Sequence, residues 1–187
     1  MKNTPWGSSQ STEVLEPGIV WVSTASHGGL MITKTYAESH LTAAARQRGA
    51  KWGSYYTYEE DCAYAVAAWE LPHLHEKIFN NHDKDENFKN LLLKSLSTWN
   101  ADYLLDLGIE PEPTGYRLFL ERQEDARMRK EKHPNLIVAA WGDWFTKIPG
   151  VVKVATADDK EHLITSESYG QREGLNLLSK CTLYEGE

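Results

Sequence analysis

The sequence predicts an α+β fold: an antiparallel sheet built from the N- and C-terminal strands, packed with a central group of helices. Short β-rich segments fall at 18–33 and again at 136–165, while apolar residues between them recur at steps of three and four. Strands at both ends of a helical middle argue against alternating βαβ units. At 187 residues the chain is read as a single domain, 1–187, with 72–135 as a mainly helical insertion. A chain of that length buries roughly 70% of its unfolded surface.

Taken in order, Gly18–Thr24 and Gly29–Thr33 form a hairpin around a small polar knot, with Gly28 and Gly29 supplying the positive φ of a tight turn. Tyr36–Arg48 carries Ala and Leu at helical spacing and stops at Gly49. "TYEEDCAYAVAAWELP" then reads as a helix opened by a Thr57/Glu60 capping box and closed by Pro72. Phe88, Leu92, Leu96, Trp99, Tyr103 and Leu107 mark one amphipathic helix over 86–107, ended by Gly108. A further helix is expected over 116–132. Strands follow at 136–141, 151–156 and 162–165, the last two joined across "ADDKE". The tail beyond about Leu178 is expected to be loosely held.

Composition narrows function more than it names it. The net charge of −7 opposes attraction to polyanions, so nucleic acid is disfavoured as a partner. The Arg- and Lys-rich stretch 117–132 alternates with acids and reads as a solvated helix face. Two cysteines, Cys62 and Cys181, lie far apart and fit a reducing compartment. No run approaches the ~20 apolar residues of a membrane span, and the N-terminus lacks a signal-peptide core, so the protein is expected in the cytoplasm with no membrane partner. Phosphate-binding glycine loops, dinucleotide fingerprints, nucleophile elbows and H-E-x-x-H are missing from the sequence.

"TPWGSSQ" at 4–10, "GIVWVSTASHGG" at 18–29, "YEEDC" at 58–62, "AAWGDW" at 139–144, "VVKVAT" and "HLITSESYGQR" together resemble a domain of unknown function found in bacteriophage, prophage and conjugative-plasmid proteins. The shared pattern rests on Ser26, His27, Gly28, Gly29, Glu59, Glu60, Asp61, Trp141, Gly142, Asp143, Trp144, Tyr169 and Arg172. The resemblance implies a mobile-element accessory protein and no established reaction.

His27, in a turn beside Ser26 and two glycines, is the candidate general base, with Ser26, Gly28 and Gly29 as the substrate cradle. Glu59 and Asp61 are the candidate carboxylates, one orienting the imidazole or binding a metal; Glu60 is accounted for by the capping box. Cys62 reads as a core thiol, because three neighbouring acids raise a thiol pKa. Asp143 and Trp144 are assigned to binding, Asp143 as a third polar group beside His27. No metal site is assigned, since His73 and His75 at i, i+2 diverge on a helix and His82 lies further on. The cofactor is left unknown. Two functions stand: binding of a host or element protein, with blunting of a defence system as one such role, and a small cytoplasmic hydrolase or transferase with a His27/acidic-cluster pocket. The enzyme reading requires the His27 ring within about 8 Å of at least one of Glu59, Glu60, Asp61, Cys62 and Asp143.

Overall fold

The computed structural model of the chain describes residues 3–79, 86–171 and 176–185. They form helices and antiparallel sheets, an α+β protein, and divide into two compact units, residues 1–120 and 121–187.

The first unit opens with the two-residue strands β1 (Asn3–Thr4) and β2 (Gly7–Ser8), paired with each other. β3 (Ser11–Glu16), β4 (Ile19–Ser23), β5 (Gly28–Thr33), β6 (Ala50–Trp52) and β7 (Tyr55–Glu59) make a five-stranded antiparallel sheet in the order β3-β4-β5-β7-β6. Its centre is β5, "GGLMIT", buried at every position but the last. Leu30 and Ile32 of β5, Ile19 of β4 and Tyr58 of β7 share a core with α3 (Tyr64–Glu70), α5 (Glu86–Trp99) and α6 (Ala101–Asp106). The small residues Ala65, Ala67 and Ala68 of α3 are buried there beside Leu74, Leu92, Leu96 and Leu104. Each large side chain so buried contributes about 1.5–3 kcal/mol. The buried Tyr58 and Tyr103 hydroxyls donate to Ala45 O at 3.1 Å and Glu70 Oε1 at 2.8 Å, so neither polar tip is orphaned.

Two expected helices are each broken by a polar residue with a better use. Thr42 separates α1 (Lys34–His40) from α2 (Ala43–Arg48) because its hydroxyl accepts from Ala45 N and caps the second helix. Asn100 separates α5 from α6, and its side-chain amide donates to Cys62 O at 2.6 Å. A third expectation fails at Thr57, which is a buried strand residue, so α3 begins only at Tyr64. Aromatic and β-branched residues at 55–58 favour the pleated, half-buried surface between two neighbouring strands over a helix. α4 (His73–Phe79) follows, then α7 (Pro113–Lys132), which starts in the first unit and runs into the second.

The second unit carries β8 (Ile137–Trp141), α8 (Asp143–Thr146), β9 (Val151–Thr156), β10 (Glu161–Thr165), α9 (Ser166–Gly170) and a 3₁₀ turn, Leu178–Lys180. Its strands form their own sheet, β10-β9-β8, around Ile137, Val152, Val154 and Ile164. The single sheet expected from both ends of the chain is therefore corrected to separate sheets: alternation says which face of a strand is buried, not which strand lies beside it. The tail is also tied down, with Leu183 bridged to Ile164 and Tyr184 N donating to Leu163 O. On α7, Arg127 pairs with Glu124 and Glu131, as interspersed charge on a solvated face requires. Among the described residues no helix is long and apolar enough to cross a membrane.

Candidate active site

The site grows from the hairpin β4–β5. Ser23 pairs with Gly28, leaving Thr24–His27 as the turn. Thr24 closes it: its N–H donates to His27 O at 2.8 Å, while its hydroxyl donates to His27 O at 2.7 Å and accepts from His27 N at 3.2 Å. Ser26 and His27 stand exposed at the tip. The two glycines are not in the turn, a correction to the sequence reading. They lie in β5, where a Cβ on Gly28 would meet Val22 O at 2.5 Å and Glu60 Oε2 at 2.8 Å. A Cβ on Gly29, whose φ is +148°, would meet Tyr58 O at 2.2 Å and the Trp6 ring at 3.0 Å. Their service is close approach, with Gly29 directly opposite Glu59 in the β5–β7 ladder. That register brings the His27 end of β5 beside the Glu59–Asp61 end of β7.

Glu59–Asp61 accordingly sits at a strand exit and not in the first turn of a helix. Glu60 N donates to Gly28 O at 3.1 Å, extending the ladder, so the capping-box account of Glu60 fails. Glu59 folds back on its own turn: Oε2 accepts from Asp61 N at 2.9 Å, Cys62 N at 3.2 Å and the Cys62 thiol at 3.2 Å. Its other oxygen, Oε1, is buried and accepts no hydrogen bond. It faces His27 Nδ1 at 3.4 Å, longer than a good N–H···O bond. The imidazole is 54% exposed and the Glu59 carboxylate 22%.

His27, Glu59, Asp61 and Cys62 line one open cleft of about 380 Å³, walled by Trp6 and Trp99. One donor atom from each of His27, Glu59 and Asp61 lies within 4.8 Å of the others. Burial first, then the hydrogen bond to Glu59, push the Cys62 thiol up to about 11, so it is neither a thiolate nor a nucleophile near neutral pH. Burial and then the charges of Asp61 and Glu59 raise the Glu60 carboxyl above its usual range. The cleft thus carries the carboxylates of Glu59 and Asp61, and among the described residues no lysine or arginine lines it.

The structure brings three of the sequence candidates, His27, Glu59 and Asp61, together. Ser26 is at the turn tip, Gly28 and Gly29 lie beneath the site, and Asp143 and Trp144 belong to the second unit. His82 and Arg172 fall outside the described residues. Trp6, Thr24, Trp99 and Asn100 were missed. Trp6 stood within "TPWGSSQ", but Trp99 looked like one more position in an amphipathic stripe. His73 serves a different group: its Nε2 lies 3.3 Å from Glu16, which also accepts from Lys77 Nζ at 2.8 Å and the Tyr36 hydroxyl at 2.5 Å.

Fold and cleft define the first unit as an α+β domain with an imidazole–carboxylate group at one sheet end. Residues 1–107 match the family model "Domain of unknown function (DUF7007)", and the chain belongs to that family. The matched span holds all the described residues that line the cleft; it stops before α7, so "AWGDW" and Tyr169 lie outside it. No curated protein and no solved structure matches the chain.

Proposed function

We propose that the first unit is a small hydrolase or group-transfer enzyme centred on His27, Glu59 and Asp61. The observation that carries this reading is their convergence: donor atoms within 4.8 Å of one another, in a cleft that Trp6 and Trp99 also line. The group activates a water or substrate hydroxyl for attack, while Trp6 and Trp99 offer flat apolar walls to the substrate. The test is a panel of carboxylic ester, phosphoester, peptide and glycoside substrates offered to the wild-type chain and to His27→Ala. At least one class should be turned over, with the variant about 10²- to 10⁴-fold slower. No turnover of any class, or equal rates for both proteins, contradicts the reading.

A groove at the α6–α7 connection favours a second reading, binding of a host or mobile-element protein. Leu105, Pro111, Pro113, Tyr116 and Leu120 line it together with the charged Glu110 and Arg117, and Leu105 is 50% and Leu120 49% exposed. Exposed apolar clusters of this kind mark protein interaction sites. Leu120→Glu should abolish capture of such a partner from host lysate while His27→Ala leaves it intact; capture unaffected by Leu120→Glu contradicts this reading.

A further inference from the structure

We propose that His27, Glu59 and Asp61 together hold one divalent first-row cation, Zn²⁺ or Mn²⁺, with its remaining coordination positions open to the cleft. The inference rests on the catalytic reading above and supplies the group that activates the nucleophile. Four observations lead to it.

The first is a distance. His27 Nδ1 and Glu59 Oε1 are 3.4 Å apart, too far for a good hydrogen bond. Two ligands each ~2.0–2.1 Å from one ion at a tetrahedral angle stand about 3.4 Å apart. The second is the state of Glu59 Oε1, a buried carboxylate oxygen that accepts no hydrogen bond. Such an atom carries a desolvation penalty that only a cationic partner offsets, and the group facing it is the exposed His27 imidazole, a cation only when protonated. The third is preorganisation. Two backbone amides and a thiol hold the opposite oxygen, which fixes the carboxylate plane and aims Oε1 at the imidazole. Groups behind a ligand set its orientation in this way at metal centres. The fourth is charge: carboxylates at 59, 60 and 61 crowd the strand exit, and among the described residues no lysine or arginine lines the cleft.

The donor set chooses the ion. One imidazole and two carboxylates suit a borderline to hard divalent ion. The Cys62 thiol is engaged with Glu59 Oε2, which argues against a soft, thiolate-selecting metal. An open position takes water; that water gives a proton to solvent and keeps hydroxide on the ion as a nucleophile at neutral pH. In this scheme His27 is a ligand, and the ion-bound water replaces the free imidazole as the source of the base.

The test uses the full chain, stripped with chelator and titrated calorimetrically with Zn²⁺ and with Mn²⁺, beside His27→Ala and Asp61→Asn. Circular dichroism confirms that both variants remain folded. Glu59→Gln is not used, because it also loosens the turn. One equivalent of at least one of the two ions should bind, weakened about 100-fold or more in each variant. Absence of binding for both ions, binding equal in all three proteins, or weakening in only one variant overturns the three-ligand site. The two readings also separate. Turnover lost in His27→Ala with no ion bound sinks the cation and keeps the enzyme, whereas an ion bound as described with no substrate turned over keeps the cation and sinks the enzyme.

Discussion

Two histidine–carboxylate groups sit at opposite ends of strand β4, and they differ in what their carboxylates lack. At one end Glu16 is saturated by the Tyr36 hydroxyl, Lys77 Nζ and His73. Burial opposes its ionisation, but those hydrogen bonds outweigh it and lower the carboxyl to about 2. Its neighbour Tyr36 is pushed up to about 12, by burial and then by Glu16. At the other end Glu59 spends one oxygen on its own turn and leaves the second buried and unbonded, facing an exposed imidazole. The first cluster ties β3, α1 and α4 together and is explained by the fold. The second is held by the fold through one oxygen alone, and a buried carboxylate oxygen left without a hydrogen bond points to a ligand.

The largest effect expected from breaking this contrast is at Gly29. Gly29→Ala forces a Cβ to 2.2 Å from Tyr58 O at a φ of +148°, in the strand that aligns Glu59 with His27. It should cost about 3 kcal/mol or more, read as a steep fall in thermal midpoint. A midpoint near that of the parent would mean the close approach is not required.

Next comes the saturated end. Glu16→Gln should lose about 1–2 kcal/mol at pH 7 in urea unfolding, discounted for the half-exposed Lys77. The folded carboxyl titrates at about 2, below its ordinary 4.5, so its stabilisation is present above pH ~4.5 and is lost as pH falls through 2. The gap between parent and variant should narrow over that window. A gap independent of pH would show that ionised Glu16 is not the clamp.

Smaller still is the effect at Cys62. With its thiol up at about 11, alkylation near pH 8 should run about tenfold or more slower than for free cysteine. Glu59→Gln should speed it, because it removes the charge that holds the proton on. A rate equal to that of free cysteine contradicts the placement of the thiol against Glu59.

Much of the fold was legible because β-rich and helical periodicities differ: both hairpins, α7 and the strands of the second unit stand close to where the residues placed them. The breaks were not, because Thr42 and Asn100 act through bonds to Ala45 and Cys62 whose value depends on the folded neighbour. The pairing of the site was half legible. His27, Glu59 and Asp61 stood out as residue types, but the wrong local structures were assigned around them: a glycine turn that is a strand, and a helix cap that is a strand exit. Their meeting depends on the Gly29–Glu59 register, a long-range pairing with no local signature. The two tryptophan walls depend on packing in the same way.

The central claim is that the His27 side chain serves a ligand and not the fold, and the unfolding free energy of His27→Ala tests it most directly. The Thr24–His27 turn is closed by backbone groups and the Thr24 hydroxyl, none of which the substitution removes. The variant should therefore unfold within about 0.5 kcal/mol of the parent at neutral pH. A loss of about 1.5 kcal/mol or more, on the scale expected for Glu16→Gln, would make the His27–Glu59 pair a structural clamp like its counterpart at the other end of β4.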